Sequence, residues 1–203
     1  PIEKLTGIGI EEVLIVTGVE HMGDVVGLLG SGREFHCRFT YKVQDEAGGI
    51  AQALGLAENF ANGDSVAVIL GDNVFQADLA AYAGRFVEQG RGARLLLKRV
   101  PDPERFGVAE IRDGRVVGIE EKPKAPKSNH AIIGVYFYDS AVFDIIRTLK
   151  PSARGELEIT DVNNAYVRSG QLGYDVLEGW WTDAGTFESL ARANDLVQKE
   201  PPK

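Results

Sequence analysis

The stretch Ser65-Val66-Ala67-Val68-Ile69-Leu70-Gly71-Asp72-Asn73 constrains this chain more than any other. A run of apolar, mostly β-branched residues ends abruptly in Gly-Asp-Asn. Valine and isoleucine favour a pleated, buried surface. A continuous apolar run with little alternation suggests a strand covered on both faces, as in a parallel α/β sheet. Asp72 then falls at the strand's carboxyl end, where open α/β sheets place ligands. A carboxylate there is a hard oxygen donor suited to a divalent cation. Taken alone, the stretch favours a simpler reading, an Asp that starts a turn by bonding its own backbone.

The rest of the chain supplies the partners such a strand needs. Strands are predicted over 11–17, 38–44, 93–100, 108–112, 116–120, 131–138 and 174–177. Helices are predicted over 21–29, from Ile50 onward, and over 79–88, 141–149, 156–167 and 186–198. Ile50, Ala53, Leu54 and Ala57 share one helical face. Asp113-Gly114 between two short strands predicts a hairpin. Asp139 or Ser140 is placed to cap the helix from Ala141, and Thr186 the last helix. Early strand–helix alternation with a later hairpin points to a layered α/β sheet, mixed rather than purely parallel.

At 203 residues the chain can bury a sizeable core. A net charge of -8 argues against non-specific nucleic-acid binding, which needs a basic face. The one cysteine, Cys37, excludes an intrachain disulfide and fits a reduced, cytoplasmic setting. No apolar run approaches membrane-spanning length. The opening Pro1-Ile2-Glu3-Lys4-Leu5 reads like the interior of a helix, so the chain as given is expected to begin inside a domain. The tail 199–203 reads as loose.

Three further segments carry chemistry. Gly48-Gly49-Ile50 joins a predicted strand to a predicted helix, where backbone approaches ligands closely and anions are favoured. Glu120-Glu121-Lys122-Pro123 ends the hairpin, and Pro123 is expected to hold Lys122 extended. A Glu accepting from hydroxyls beside a Lys facing a phosphate suits a polar, phosphorylated ligand. Gly179-Trp180-Trp181-Thr182-Asp183 sets two aromatics before an Asp and a glycine turn. Each segment alone is also compatible with an ordinary turn, a solvated charge run or a core Trp pair.

In order along the chain, Leu70-Gly71-Asp72-Asn73, Asp102-Pro103-Glu104-Arg105-Phe106-Gly107-Val108, Ile119-Glu120-Glu121-Lys122-Pro123, Gly134-Val135-Tyr136-Phe137-Tyr138-Asp139, the block Pro151–Asn163, and Trp181-Thr182-Asp183-Ala184-Gly185-Thr186 resemble the bacterial sugar-1-phosphate nucleotidyltransferases. Within that family the set is most similar to the glucose-1-phosphate thymidylyltransferases. The resemblance implies a Rossmann-like three-layer fold with a mixed, mostly parallel central sheet and an inserted hairpin, as one domain over 1–203. It implies Mg2+-assisted in-line attack of glucose 1-phosphate on the α-phosphorus of dTTP, releasing pyrophosphate.

By the same resemblance Asp72 and Asp183 are metal ligands, and with Lys122 they are the catalytic residues. Gln44, Gly49 and Leu70 surround the base. Phe106, Gly107, Glu121, Ile132, Gly134 and Tyr136 line the sugar site. Lys122 holds the sugar phosphate, Trp181 forms a pocket wall, and Asn73 contacts the sugar. A homo-oligomer is implied, with no nucleic-acid or membrane partner. The family's glycine-rich phosphate loop, Gly-x-Gly-Thr-Arg-Leu, does not occur in these residues, and Gly18-Val19-Glu20-His21 does not replace it. The expectation is that an N-terminal strand and this loop precede the given sequence. The alternatives left open are a non-catalytic sugar-nucleotide-binding or regulatory homologue, and a related enzyme using UTP or another sugar 1-phosphate.

Overall fold

The computed structural model describes residues 1–202. The first half contains α1 (Ile2–Thr6), β1 (Glu12–Gly18), α2 (Met22–Leu29), β2 (Arg38–Gln44), α3 (Ile50–Gly55), α4 (Glu58–Ala61), β3 (Val66–Ile69), β4 (Asn73–Phe75), α5 (Ala80–Gln89) and β5 (Ala93–Arg99). The second contains β6 (Gly107–Arg112), β7 (Arg115–Glu121), β8 (His130–Tyr138), α6 (Ala141–Thr148), α7 (Ile159–Arg168), β9 (Leu172–Val176), β10 (Trp181–Asp183) and α8 (Phe187–Lys199).

The main sheet is built around β8. Its order is β7-β6-β8-β5-β9, with β3 also paired to β8. β8 runs antiparallel to β3, β5 and β6, while β9 is parallel to β5. Thus β3, β5, β6 and β9 share one direction, and β8 is inserted against them. The long apolar run of β8 follows from burial on both faces. Ile132, Tyr136 and Tyr138 join a cluster with α3, α6 and α7 residues Leu54, Phe143, Ile146, Val162 and Tyr166. Ile133, Val135 and Phe137 join the opposite cluster, which holds Phe75, Leu79, Tyr82 and Phe86. The result is three layers, helix–sheet–helix.

The register of β8 explains where a crevice opens. β5 takes one edge of β8, pairing with both ends of it. The other edge is shared: β3 pairs with Val135 to Tyr138, and β6 meets it at Ala131. The two strands therefore part company near Gly134. The β5–β8 register also shifts between Leu95 and Leu97 at this level. The sheet splits there, and the ends of β3 and β6 frame the gap.

Several local expectations are corrected. The apolar run of β3 suggested parallel neighbours, yet its partner is β8, antiparallel. Apolar continuity reports two covered faces, not strand direction: Val66 and Val68 pack on one cluster, Ala67 and Ile69 on the others. Helix α7 starts at Ile159 rather than at Glu156. Residues 156–158 are instead tied to the Gly48–Ala51 turn, through Leu157 N to Gly48 O at 2.7 Å and Ala51 N to Leu157 O at 3.3 Å. Neither Asp139 nor Ser140 caps α6 with its side chain. Asp139 is engaged elsewhere, accepting from Gly92 N and the Tyr166 hydroxyl. Thr186 does cap α8, in a reciprocal pairing with Ser189. Where a loose end was expected, Lys199 closes α8 and the Glu200 carbonyl accepts from Trp180 Nε1 at 2.8 Å; Lys203 lies outside the described residues.

The first two strands form a separate parallel pair, β1 with β2. Val13, Leu5 and the buried Cys37 make its small core, against which Ala67 and Ile69 of β3 also pack.

Candidate active site

Asp72 is held at the split by backbone bonds on both sides. Leu70 N donates to Gly134 O at 2.8 Å, fixing the end of β3 to β8. The chain then turns, with Asn73 N to Leu70 O at 3.1 Å, into β4. β4 pairs antiparallel with β10, Asn73 opposite Asp183, and Ala184 N donates to Asp72 O at 2.7 Å. Two aspartates far apart in sequence thus meet one register step from each other. No sequence periodicity announces β4 or β10, each three residues long.

Asn73 wires this corner together. It is 3% exposed. Its Nδ2 donates to Asp72 Oδ1 at 2.8 Å, and its Oδ1 accepts from Gly134 N at 3.1 Å and Trp181 Nε1 at 2.7 Å. These bonds orient Asp72 and dock Trp181. Gly134 leaves room for the hub: a Cβ there would lie 2.6 Å from Asn73 Nδ2 and 2.6 Å from Leu70 Cγ.

The residues expected around a sugar gather on the β6–β7 side. Trp181 meets the Phe106 ring edge-on at 5.5 Å. A Cβ on Gly107 would lie 3.3 Å from Glu121 Oε2, 3.4 Å from Thr160 Oγ1 and 3.7 Å from Ile132 Cδ1. Thr160 donates to Glu121 Oε2 at 2.6 Å. Tyr136 lies between the two halves. Burial raises its phenol well above the ordinary value, and the carboxylates of Glu121 and Asp72 push the same way.

Lys122 ends the hairpin in an unexpected conformation. Its φ is 43°, in the left-handed region rather than extended. The strand does stop at Glu121, but Lys122 N still donates to Phe106 O at 3.0 Å. That bond holds a non-glycine residue at a sparsely populated φ, a feature typical of ligand-binding turns.

Gln44 and Gly49 form a second group. Gln44 Nε2 donates to Gly49 O at 3.1 Å and to Gln52 Oε1 at 2.7 Å. With both N–H groups engaged, Gln44 offers only its oxygen, as an acceptor, to any further partner. Gly49 has φ 92°, and a Cβ there would sit 2.5 Å from Leu157 O. The segment after Leu157 links this group to the sugar side. Arg154 pairs with Glu158 at 2.8 Å and Glu156 at 3.3 Å, and lies 3.8 Å from Glu121 Oε1. Glu158 is held below the usual carboxylate range. Burial opposes this, but hydrogen bonds from Arg154 and Ser152 outweigh it, and Lys122 adds to them.

Sequence reading left Arg154, Glu158, Thr160 and Arg105 without a role. Arg154 and Glu158 carry a signal, an opposite-charge pair four residues apart inside the resembling block. Thr160 carries none, because its contact with Glu121 exists only in the folded chain.

The carboxylate corner fits a hard divalent cation. Asp183 Oδ1 is buried without a hydrogen-bond partner, an exposed cost that a cation removes. Among the described residues no group of three or more His, Cys, Asp or Glu gathers as a ready-made cage. Two carboxylates supply the hard oxygen donors that such a cation takes. Among the described residues no helix is long and apolar enough to cross a membrane.

Comparison with known proteins bears on this geometry. A family model described as nucleotidyl transferase matches residues 1–200. The glucose-1-phosphate thymidylyltransferase of Mycolicibacterium smegmatis is 41% identical over 201 residues, covering 98% of this chain and 70% of that protein. The enzyme of the same name from Neisseria meningitidis is 41% identical over 202 residues, with the same coverage. A crystal structure of a Bacillus anthracis protein described as a glucose-1-phosphate thymidylyltransferase, in complex with sucrose, superposes with a TM-score of 0.93. It is 58% identical and covers 97% of this chain and 80% of that one. A UDP-glucose pyrophosphorylase in complex with UDP-glucose shares the fold, with a TM-score of 0.83 at 22% identity over 98% of this chain and 84% of that one.

Proposed function

Because this chain belongs to the nucleotidyl transferase family, we propose that it transfers a thymidylyl group from dTTP to glucose 1-phosphate, giving dTDP-glucose and pyrophosphate. The observation that carries this reading is the pairing of β4 with β10, which sets Asp183 opposite Asn73 and one step from Asp72 where the sheet splits. An oxygen of the sugar phosphate attacks the α-phosphorus in line, the new P–O bond forms, and the bond to pyrophosphate breaks. Such chemistry asks for positioning and charge neutralisation rather than a covalent intermediate.

Each residue has a part. Asp72 and Asp183 hold Mg2+, whose chemistry is to neutralise charge on the phosphates. Asn73 keeps Asp72 in place. Lys122 faces the sugar phosphate, and Glu121, held by Thr160, accepts from sugar hydroxyls. Gln44 offers its acceptor oxygen to the N–H of a pyrimidine base, with Gly49 and Leu70 beside it. Phe106, Gly107, Ile132, Gly134, Tyr136 and Trp181 wall the sugar.

The test is pyrophosphate release from dTTP and glucose 1-phosphate. Turnover with this pair, and a lower kcat/KM with UTP, is expected. Asp183→Asn is expected to lower kcat by about 100-fold or more while the thermal melt stays cooperative. Unchanged rates in that variant would remove Asp183 from the metal site.

A further inference from the structure

Arg105 is a cation beside Asp183 that the reading above does not use. It lies between β5 and β6. Its Nη1 donates to Asp102 Oδ2 at 2.8 Å, and its Nη2 lies 3.5 Å from Asp183 Oδ2. The guanidinium also sits 5.3 Å from the centroid of Phe106, the ring that meets Trp181. Asp183 Oδ1, the other oxygen, is enclosed and unpartnered. The Asp183 side chain is only 18% exposed. One oxygen is thus walled in and the other faces the Arg105 guanidinium.

We propose that Arg105 is the resident counter-ion of Asp183, which a divalent cation displaces on binding, so that metal binding releases residues 102–107 from β10. The proposal rests on Asp72 and Asp183 being the metal pair. A part-buried carboxylate left without a counter-charge is costly, and Arg105 supplies that charge in the cation-free protein. A guanidinium and a divalent cation on one carboxylate repel each other. Arg105 keeps Asp102 as a partner three residues away, so the displacement needs only a local swing. The segment that moves carries Phe106 and Gly107, the wall of the sugar site. Metal occupancy and the shape of that wall are therefore linked, and the linkage is reciprocal.

Mn2+ binding without nucleotide or sugar tests this, read from the free-ion paramagnetic resonance signal. Arg105→Gln is expected to bind Mn2+ about 5-fold tighter or more. Arg105→Lys, which keeps the charge but loses the two-pronged reach, falls between. Arg192→Gln removes an equal charge from beside Thr182, the neighbour of Asp183, and is expected to have a clearly smaller effect. A Trp180→Phe background leaves Trp181 as the sole tryptophan. In it, Mg2+ is expected to change Trp181 emission when Arg105 is present and not in Arg105→Gln. Equal gains in Arg105→Gln and Arg192→Gln, or no gain in Arg105→Gln, would overturn the displacement. Asp183→Asn separates the two readings. If it leaves Mn2+ affinity unchanged, the metal assignment itself falls. If it weakens binding while Arg105→Gln changes nothing, only the counter-ion role falls.

Discussion

The two ends of this site are held by different forces. At the carboxylate end, Asp72, Asn73, Trp181 and Gly134 come from four strands or strand ends and are joined by short internal hydrogen bonds. At the other end, Lys122 and Arg154 sit in bends and turns, Glu156 and Glu158 lead into α7, and Arg154 leaves 42% of its side chain in solvent. The first end is fixed by buried polar groups that have nowhere else to bond. The second is fixed by charge balance that water can replace. Stability should therefore depend on the first end, and substrate binding on both.

Substitutions can break or sharpen this contrast. Asn73→Ala removes the acceptor of Gly134 N and Trp181 Nε1 and is expected to cost about 2–4 kcal/mol in urea unfolding. A loss under about 0.5 kcal/mol would mean that the hub is not what holds the corner. Glu121→Gln keeps an acceptor for Thr160 but loses the charge. It is expected to lower kcat/KM for the sugar phosphate about 10- to 100-fold with little change in melting temperature. An equal loss of stability would put the two ends under one control. Arg154→Ala is expected to move stability by about 0–1 kcal/mol, since its pairs are solvent-screened. Calorimetry in low and high salt would check that the small difference shrinks further as ions are added.

The smallest effect concerns pH. The folded pKa of Glu158 is depressed, so its contribution is present above the unfolded value and lost as pH falls through the folded one. The window lies below about pH 4.3, the ordinary glutamate value. Glu158→Gln should therefore lower stability slightly at neutral pH, where the contribution is fully present, and flatten the fall across that acid window, read by urea unfolding at a series of pH values.

Much of this site was legible before folding was considered. The ordered motifs named Asp72 and Asp183, and the fold sets them one register step apart, with Glu121 on the β6–β7 hairpin. Other features had no local signal. Asn73 reads as a residue beside a ligand, and its bonds to Gly134 and Trp181 exist only in the folded chain. Pro123 argues for an extended Lys122, yet the bond to Phe106 O holds it at φ 43°. Residues 156–158 have helical periodicity but pair with the Gly48 turn, because a tertiary backbone bond outweighs weak propensity.

The sequence by itself determined the layers. Apolar continuity in β3 and β8 requires two covered faces, and helical faces at i, i+3, i+4 supply the covers. It also supplied the candidate residue types for the chemistry, because carboxylates, a lysine and tryptophans are written in a recognisable order. Only the tertiary structure decided direction, register and pairing. Hydrophobic burial is non-directional and cannot tell a parallel neighbour from an antiparallel one. Hydrogen bonds between distant strands can, and they set Asp183 beside Asp72, turned Asn73 inward and brought Arg105 to the carboxylate it neutralises.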